Sequence, residues 1–309
     1  MGLMIDGVYF AEDPPADSAD DGRFRRAKST IRRTEFTPEP GRYHLYAAWN
    51  CPWAHRALLA RTLLGLDEVI SVAVAKPRRT DQGWVFDTEG EFADSLWGIS
   101  ALHEAYTKSE PNYTGRLTVP LLVDKQTGLA VNNESADIVE LLSDAAASLD
   151  LFPEDLRAGI DRWNERIYRT VNNGVYRAGF ARTQAAYDEA VPDVFATLDA
   201  IEEQLGRTRY LTGDRFTAAD LRLFPTLARF DVAYFGAFKC NLRRLIDYPN
   251  LWGYAREIYQ MPGVAGTVRF DLYKRGYYSP SAIRNPNGIV PLGPVLGHDG
   301  IDWNAPHGR

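Results

Sequence analysis

Apolar residues in the first half of the chain follow two alternating spacings. Short apolar runs, typical of strands, are separated by segments in which apolar residues recur every three or four positions, typical of helices. The predicted elements, in chain order, are a strand at 43–48, a helix at 52–64, a strand at 69–75, a helix around 96–106, strands at 119–123 and 129–131, and a helix around 138–142. This β-α-β-α-β-β-α order predicts an α/β domain with a partly parallel sheet.

The second half of the chain carries only the helical spacing. Beyond a small-residue linker at 143–148, long helical patterns cover 154–168, 187–205, 218–234 and 251–259. Thr217 and Asp220 stand where an N-cap and an early acidic residue would begin the third of these helices. The pattern therefore predicts an all-helical second domain at 150–284, after an α/β domain at 41–145.

The two ends of the chain show no such periodicity. Residues 1–40 are polar, with basic residues at 23–33, and are predicted to form an N-terminal extension lying on a domain. Residues 285–309 are rich in proline and glycine and are predicted to form an extended tail held on a surface. The extension begins with an acidic half that contains Glu12, Asp13, Asp17, Asp20 and Asp21.

The composition is close to that of an average globular protein. A chain of 309 residues, 45% hydrophobic and 25% charged, has room for two domains, and its net charge of −6 argues against nucleic-acid binding. No apolar run approaches the roughly 18 residues that span a bilayer, and the acidic start is unlike a signal peptide. Two cysteines cannot form a disulfide framework, so we expect a cytoplasmic protein in a reducing environment, with no membrane partner.

Cys51 is the residue best placed for chemistry. It stands between a predicted strand and Pro52, a residue tolerated in the first turn of a helix. A cysteine there lies against unpaired backbone N–H groups and the positive end of the helix dipole, which favour thiolate over thiol. Cysteines at helix N-termini can have a pKa lowered from about 8.5 to roughly 3.5–7.5. We therefore interpret Cys51 as a reactive thiol rather than an inert buried one.

The residue three positions after Cys51 indicates which thiol chemistry to expect. A dithiol oxidoreductase would have a second cysteine there, and this chain has Ala54. A mixed disulfide formed on Cys51 must then be released by an external thiol. Cys240, far along the chain in the helical half, is predicted to be a packing residue.

Val119-Pro120 opens a predicted strand. A proline at this place is compatible with a cis peptide bond, which is usually reserved for tight functional turns, and with the commoner trans bond of an edge strand. A cis bond would leave the backbone of Val119 exposed to pair with a peptide-like ligand. The residues alone leave both forms open.

Eight strings of residues together resemble one family. They are YHLYAAWNCPWAHR (43–56), GWVF (83–86), YTGRLTVP (113–120), VNNES (131–135), VNNGVY (171–176), RFDVAYFGAFKCN (229–241), DYPNL (247–251) and NPNGIVPLGP (285–294). Over nearly its whole length the chain resembles the glutathionyl-hydroquinone reductases, the Xi class of glutathione transferases. The resemblance implies a thioredoxin-like α/β N-terminal domain plus an all-α C-terminal domain, which is the glutathione transferase fold.

The resemblance also implies how glutathione, the co-substrate, is held. Cys51 would be the nucleophile, and the glutathione-binding residues would be Trp84, Arg116, Val119 through its backbone, Glu134 and Ser135. Ser135 lies at a predicted helix N-terminus, which suits a carboxylate, while Glu134 suits an ammonium group. Arg116 suits a forked pair of hydrogen bonds to the other carboxylate of glutathione.

Three tyrosines match family positions that line the pocket for the quinol. They are Tyr176, Tyr234 and Tyr277, with Tyr176 and Tyr277 expected to be catalytic. In the implied reaction the Cys51 thiolate attacks the sulfur of a glutathionyl-hydroquinone, and a tyrosine hydroxyl protonates the departing ring carbon. A second glutathione then frees Cys51 and leaves as oxidised glutathione.

No metal is implied, because the five histidines at 44, 55, 103, 298 and 307 show no paired ligand spacing. Two other functions stay open at this point. One is an Omega-like thiol transferase or dehydroascorbate reductase that uses the same cysteine, and the other is a non-catalytic ligand-binding homologue.

The resemblance also implies a homodimer formed through the helical domains. Aromatic side chains in that half offer apolar material for such a contact, namely Phe224, Phe230, Tyr234, Phe235 and Phe238. The alternative is that these rings only close the quinol pocket of a monomer.

Overall fold

The computed structural model describes residues 2–11, 21–146, 148–297 and 301–309. The acidic residues Glu12, Asp13, Asp17 and Asp20, and also His298, lie outside the described residues. The described residues form two compact units: unit 1 holds those at 2–11 and 26–149, and unit 2 holds those at 21–25 and 150–309.

Unit 1 is built around a four-stranded mixed sheet. The strands of this unit are β1 (Leu3–Ile5), β2 (Val8–Phe10), β3 (Tyr43–Ala48), β4 (Ile70–Ala75), β5 (Gly115–Arg116), β6 (Leu121–Asp124) and β7 (Leu129–Asn132). The main sheet has the order β4-β3-β6-β7, in which β3 runs parallel to β4 and antiparallel to β6, and β6 runs antiparallel to β7. Every residue of β3 and β6 is buried, as expected for central strands covered on both faces.

Three helices complete the predicted β-α-β-α-β-β-α order of unit 1. They are α1 (Pro52–Leu63), α2 (Leu102–Ser109) and α3 (Ser135–Ala145). Helix α1 begins at Pro52, as predicted, and is followed by Gly65 with a φ of +68°, a conformation that glycine adopts without strain. The sequence pattern thus placed the strand–helix junction that contains Cys51 correctly.

The predicted helix at 96–106 is wrong in its first half. The carboxylate of Asp94 accepts hydrogen bonds from the N–H groups of Leu96, Trp97 and Ile99, at 3.0, 2.9 and 3.1 Å. A side chain that occupies these donors holds the backbone in a turn and competes with the helix. Helix α2 therefore begins only at Leu102.

The N-terminal extension carries strands that its polar composition did not indicate. β1 and β2 form an antiparallel hairpin, and β1 also pairs with β5. Further along, the Arg33 N–H donates to the Val131 carbonyl at 2.9 Å, so this segment runs beside β7. Met4 and Ile31 are buried, and the extension therefore contributes side chains to the core of unit 1.

Unit 2 is helical, and its described residues contain no strand. Its α-helices are α4 (Arg157–Ile167), α5 (Gly174–Gly179), α6 (Gln184–Leu205), α7 (Ala218–Arg229), α8 (Phe235–Ala237), α9 (Pro249–Tyr259) and α10 (Phe270–Tyr277). Its shorter elements are 3₁₀ turns at Glu154–Leu156, Leu245–Asp247 and Val264–Thr267, and π-helical turns at Tyr168–Asn172 and Phe230–Tyr234. Helices α5 and α10 were not predicted, because six and eight residues are too few to show a helical period.

The start of α7 is fixed by the predicted cap. The Thr217 N–H donates to the Asp220 carboxylate at 2.8 Å, and the same carboxylate accepts the Tyr254 hydroxyl of α9, also at 2.8 Å. Both Thr217 and Asp220 are fully buried. The capping pair therefore anchors α7 to α9 and sets the position of the residues that α7 carries at its other end.

The described part of the tail contacts the helices of unit 2. Ile301 and Trp303 are buried, and the Trp303 ring lies 4.8 Å from the Trp252 ring between centroids. The Lys274 ammonium group donates to the Leu292 carbonyl at 2.6 Å. In the ranges that the structure describes, no helix is both long and apolar enough to cross a membrane.

The aromatic residues offered as dimer-forming material are mostly interior. Phe224, Phe230, Tyr234 and Phe238 are buried within unit 2, and Phe235 is partly exposed. Side chains already buried in one chain cannot form a contact with another. The buried rings therefore do not support a dimer, and the dimer stays a prediction.

Candidate active site

Cys51 caps the N-terminus of α1. Its backbone is extended, with φ −84° and ψ 116°, and its sulfur accepts the Ala54 N–H at 3.5 Å. Pro52 occupies the first helical position, where its missing N–H costs no hydrogen bond. The sulfur also lies 3.5 Å from the Val119 carbonyl oxygen, and Cys51 is partly exposed. A sulfur in this place has a backbone donor that stabilises the thiolate and remains accessible to a reactant.

The loop beside the sulfur is the one that holds Val119 and Pro120. The peptide bond between them is cis, which is one of the two forms that the sequence left open. Val119 is buried. The structure therefore brings Cys51 and Val119, two predicted site residues distant in the sequence, into direct contact.

Glu134 and Ser135 form the N-terminus of α3. The helix begins at Ser135, as predicted, and the Glu134 carboxylate accepts the Ala136 N–H at 3.2 Å as the N-cap. That carboxylate also accepts the Ser29 hydroxyl at 3.0 Å. The Arg56 guanidinium donates to the Ser135 hydroxyl at 3.4 Å. A backbone helix end with an arginine beside it is suited to a carboxylate ligand.

Tyr106 joins two loops that carry predicted site residues. Its hydroxyl donates to the Thr118 carbonyl at 2.8 Å and accepts the Asn133 side-chain N–H at 3.1 Å. Burial raises the pKa of this hydroxyl well above its usual value, so it stays protonated as a donor. Thr118 precedes Val119 and Asn133 precedes Glu134. Tyr106 therefore fixes the spacing between the Val119 loop and the start of α3.

Trp84 and Arg116 lie on two further segments of unit 1. Trp84 is 7% exposed, and its indole N–H is buried without a hydrogen-bond partner among the described residues. Such an orphaned donor is unusual in a folded protein. The Arg79 guanidinium lies 5.3 Å from the centre of the Trp84 ring, and Arg116 is a half-buried residue of β5.

The second cysteine has a different environment. Cys240 is fully buried in unit 2, with its sulfur 3.9 Å from the Phe238 carbonyl. Burial raises the pKa of its thiol to about 12. This environment agrees with the predicted packing role.

The three predicted tyrosines of unit 2 meet at their hydroxyl groups. The Tyr176 and Tyr277 hydroxyls are 2.7 Å apart, and the Tyr234 and Tyr277 hydroxyls are 2.9 Å apart. Tyr176 comes from α5, Tyr234 ends the π-helical turn Phe230–Tyr234, and Tyr277 ends α10. Loss of water around the hydroxyls raises the pKa of Tyr234 and Tyr277 well above the usual value. We call these three residues the tyrosine cluster.

Aromatic rings enclose the tyrosine cluster. The Phe238 ring stacks on Tyr234 at 5.3 Å and meets Tyr176 edge-on at 5.2 Å. Phe180 stacks on Tyr176 at 5.9 Å. A Cβ atom at Gly179 would collide with the Phe238 ring, so close packing at this place requires glycine. The phenols thus form a hydrogen-bonded chain set in an apolar wall.

Sequence reasoning missed several residues of both sites. Tyr106 gave no signal, because its role depends on two loops that meet only in the folded chain. Phe24, whose ring lies 5.2 Å from Phe180, belongs to the basic extension. Arg229 is the residue with a detectable signal, because a charged side chain ends the long apolar run of α7.

No group of three or more His, Cys, Asp or Glu side chains in residues 2–11, 21–146, 148–297 and 301–309 is arranged to hold a metal ion.

Two family models match the chain. The family described as "Glutathione S-transferase, N-terminal domain" matches residues 50–145, and the one described as "Glutathione S-transferase, C-terminal domain" matches residues 184–257. Together the two matches cover more than half of the chain, and each falls within one of the two units.

Similar proteins match over the full length. The chain is 47% identical to glutathionyl-hydroquinone reductase PcpF of Sphingobium chlorophenolicum, over 96% of this chain and 97% of that protein. The crystal structure of glutathione-S-transferase Xi from Phanerochaete chrysosporium superposes with a TM-score of 0.87 and 42% identity, over 93% of this chain and 97% of that chain. The glutathione-bound structure of YqjG, a glutathione transferase homolog from Escherichia coli K-12, superposes with a TM-score of 0.86 and 42% identity. The match covers 99% of this chain and 98% of that chain.

Proposed function

The chain belongs to the Xi class of the glutathione transferases, the glutathionyl-hydroquinone reductases, and from this membership we propose that it uses glutathione to reduce glutathionyl-hydroquinones to hydroquinones. The reaction passes through a mixed disulfide between Cys51 and glutathione. The observation that carries this proposal is the sulfur of the partly exposed residue Cys51 at the N-cap of α1, with the Ala54 N–H 3.5 Å away.

The proposed first step breaks the bond between the ring carbon and sulfur. The Cys51 thiolate attacks the sulfur of the substrate and forms the disulfide, and the electron pair of the broken bond passes to the ring carbon. That carbon takes a proton from a tyrosine hydroxyl and becomes the C–H of the hydroquinone. The ring carbon is thereby reduced by two electrons, while the two sulfur atoms are oxidised to the disulfide.

The second step restores the thiol. A second glutathione gives its proton, through solvent, to the tyrosine oxygen, and its thiolate attacks the mixed disulfide. Oxidised glutathione leaves, and Cys51 returns as the thiolate. One glutathionyl-hydroquinone and one glutathione thus yield one hydroquinone and one oxidised glutathione.

In this proposal unit 1 holds the peptide part of the substrate. Trp84 donates its orphaned indole N–H, and Arg116 pairs with one carboxylate of glutathione. The N-terminus of α3 at Ser135 takes the γ-glutamyl carboxylate, and Glu134 takes the ammonium group. The backbone of Val119, which lies against the Cys51 sulfur, pairs with the cysteinyl residue of glutathione.

Unit 2 supplies the proton in this proposal. The Tyr277 hydroxyl bonds to both other phenols of the tyrosine cluster, so a proton that it donates is replaced along a short hydrogen-bonded chain. Tyr176 and Tyr277, which are partly exposed, are assigned as the catalytic phenols. Tyr234, which is fully buried and bonds to Tyr277, is assigned to the wall of the substrate site.

Trapping the mixed disulfide tests the proposed function. One equivalent of glutathionyl-hydroquinone, added without free glutathione, is expected to leave a glutathione adduct on Cys51 and to release hydroquinone, both seen by mass spectrometry. Cys51→Ser should form no adduct and show no turnover, because a neutral hydroxyl cannot form the disulfide. Cys240→Ser is the matched control and should behave as the parent chain. Hydroquinone release by a folded Cys51→Ser variant would refute the assignment.

A second experiment separates binding from chemistry. Cys51→Ala is expected to bind glutathione at millimolar ligand in calorimetry, because the proposed binding groups of unit 1 remain in place. Trp84→Phe in the same background removes the orphaned donor and should weaken binding. Equal binding by the two variants would contradict the role given to Trp84.

Two finer properties belong to the proposal as well. We propose a cytoplasmic location, since both cysteines are free and the cycle consumes reduced glutathione. We also propose a two-fold symmetric homodimer in which residues from about 150 onward supply most of the contact. Light scattering at micromolar concentration that gives the mass of a single chain would contradict the dimer.

A further inference from the structure

Arg229 is a charged side chain enclosed by unit 2. It is the last residue of α7 and has no exposed surface. Its guanidinium donates to the Pro225 carbonyl at 2.7 Å, and its central carbon lies 3.8 Å from the centre of the Tyr273 ring. Enclosing a cation is unfavourable unless its surroundings compensate, and an aromatic face at this distance is a compensating partner.

The spacing of residues places this cation one helical turn from the tyrosine cluster. Tyr273 and Tyr277 are four residues apart on α10 and therefore share a face. Arg229 directly precedes the π-helical turn Phe230–Tyr234 and Tyr234 ends it, which places the two residues one wide turn apart. Arg229 contacts Tyr273, and Tyr234 bonds to Tyr277, so two neighbouring side-chain pairs join the same two helical segments.

The charge of Arg229 acts on four phenols of unit 2. It interacts with Tyr273, Tyr277, Tyr234 and Tyr176. Burial raises the pKa of Tyr234 and Tyr277, and Arg229 opposes that rise. The groups that act most strongly on the Tyr277 hydroxyl include the Tyr176 and Tyr234 phenols and the Arg229 guanidinium.

A second arginine stands at the aromatic wall. The Arg284 guanidinium lies 4.2 Å from the centre of the Phe180 ring and 5.7 Å from that of Phe238. It is partly exposed, so water screens its charge more than that of Arg229. Arg229 is the better placed of the two to act on charge formed within the cluster.

We propose that Arg229 is a positioning residue for the proton transfer, whose enclosed guanidinium stabilises the phenolate left in the tyrosine cluster. This inference rests on the proposed function. When a tyrosine hydroxyl gives its proton to the ring carbon, the O–H electron pair stays on the tyrosine oxygen as a negative charge. The fixed positive charge one turn away lowers the free energy of that state, and it is in place before the charge forms.

The test compares Arg229→Gln with Arg229→Lys. Glutamine removes the charge but keeps a donor for the Pro225 carbonyl, while lysine keeps the charge. Arg215→Gln is the matched control, because it removes an exposed charge that pairs with Asp155 elsewhere in unit 2. Circular dichroism and thermal melting establish which variants are folded.

The first readout is independent of turnover. The protein is labelled with 2,3,5-trifluorotyrosine, whose more acidic phenol offsets the rise that burial causes and brings the midpoint into an accessible pH range. The resonance of residue 277 is identified by its loss in Tyr277→Phe. Arg229→Gln is expected to raise the pH midpoint of this resonance by about one unit or more, whereas Arg229→Lys and Arg215→Gln should leave it nearly unchanged. An unchanged midpoint in folded Arg229→Gln would overturn the proposal.

The second readout is the reaction itself. Arg229→Gln should lower kcat for a glutathionyl-hydroquinone by about 10-fold to 100-fold with little change in KM, and Arg229→Lys should recover most of the loss. Reduction of a small glutathione mixed disulfide, which needs no ring protonation, should be unchanged in both. If Arg229→Gln and Arg229→Lys each lost as much activity on the mixed disulfide as on the glutathionyl-hydroquinone, the role of Arg229 would be purely structural and the proposal would be overturned.

The two readouts also separate this proposal from the one on which it rests. If the midpoint moves but kcat does not, Arg229 has no part in the proton transfer. The rate of Tyr277→Phe then shows whether the tyrosine cluster takes part in the proton transfer. A normal rate in that variant refutes the proposed proton donor. A low rate refutes only the role of Arg229 and leaves the proton donor in place.

Discussion

The thiol site of unit 1 and the tyrosine cluster of unit 2 are built in different ways. Cys51, Pro52 and Ala54 lie within four consecutive residues, and the end of a single helix provides their chemistry. The tyrosine cluster joins three helical segments, and Tyr176 and Tyr277 are 101 positions apart in the sequence. Local backbone geometry thus creates the first site, and packing between distant segments creates the second.

The largest expected contrast is between the two cysteines. At pH 7 we expect iodoacetamide to modify Cys51 at least about 1,000-fold faster than Cys240, because the thiolate is the reactive form and Cys240 is enclosed. Burial raises the pKa of Cys240 to about 12, so its thiol stays protonated at neutral pH and gains reactivity only as the pH approaches that value. Timed alkylation followed by peptide mass spectrometry measures both rates. Comparable rates at pH 7 would show that the helix end gives Cys51 no advantage.

Removing one hydroxyl tests whether the tyrosine cluster acts as a unit. Tyr277→Phe deletes the phenol that bonds to both others, and we expect the rate on a glutathionyl-hydroquinone to fall by about 100-fold. Reduction of a small glutathione mixed disulfide should not change, since it needs only Cys51. Tyr187→Phe is the control, because the Tyr187 hydroxyl of the same unit bonds to the Lys239 carbonyl. A loss of the same size on both substrates would argue against a proton donor.

A third substitution tests how far glutathione binding at the thiol site depends on a contact between distant loops of unit 1. Tyr106→Phe removes the hydroxyl that joins Thr118 to Asn133, and we expect the Kd for glutathione to rise about 5-fold to 10-fold. Calorimetry measures the change. Tyr9→Phe, whose lost hydroxyl bonds to the Asp81 carbonyl, is the matched control in unit 1. Unchanged binding in Tyr106→Phe would mean that the two loops hold their spacing without it.

The smallest expected effect comes from removing the N-terminal cap of α7 in unit 2. Thr217→Ala removes the cap of α7 and should lower the free energy of unfolding by about 0.5–2 kcal/mol, measured by urea denaturation. We expect kcat at 25 °C to be unchanged, because Asp220 still bonds to Tyr254 and keeps α7 in place. A fall in kcat without unfolding would show that the tyrosine cluster is sensitive to the far end of α7.

The same division between local and distant contacts explains what the sequence could predict. The strand order of unit 1 and the start of α1 follow from hydrophobic spacing and from Pro52. The false helix at 96–101 arose because spacing cannot reveal that the Asp94 carboxylate takes three backbone donors. The β1–β2 hairpin was missed because its strands have three residues each.

The site residues divide in the same way. The position of Cys51 at a helix start could be predicted from the strand at 43–48, from Pro52 and from the helical spacing that follows, and the start of α3 from the Glu134-Ser135 pair. The contacts of Tyr106 and Arg229 could not, since each joins segments that meet only after folding, although the charge that ends α7 marks Arg229 as unusual. The three tyrosines were singled out by resemblance to a family, and their spacing in the sequence gives no hint that their hydroxyls touch.

In the proposed cycle, Ala54 determines how the enzyme divides its time between the free and the glutathionylated form. With a methyl group where a resolving thiol would stand, each cycle halts in the glutathionylated form until another glutathione arrives from solution. Double-displacement kinetics follow, with a return step proportional to the concentration of reduced glutathione. When that pool is depleted, the protein accumulates in the glutathionylated form and hydroquinone output declines. A single alanine thus couples the throughput of the enzyme to the redox state of its surroundings.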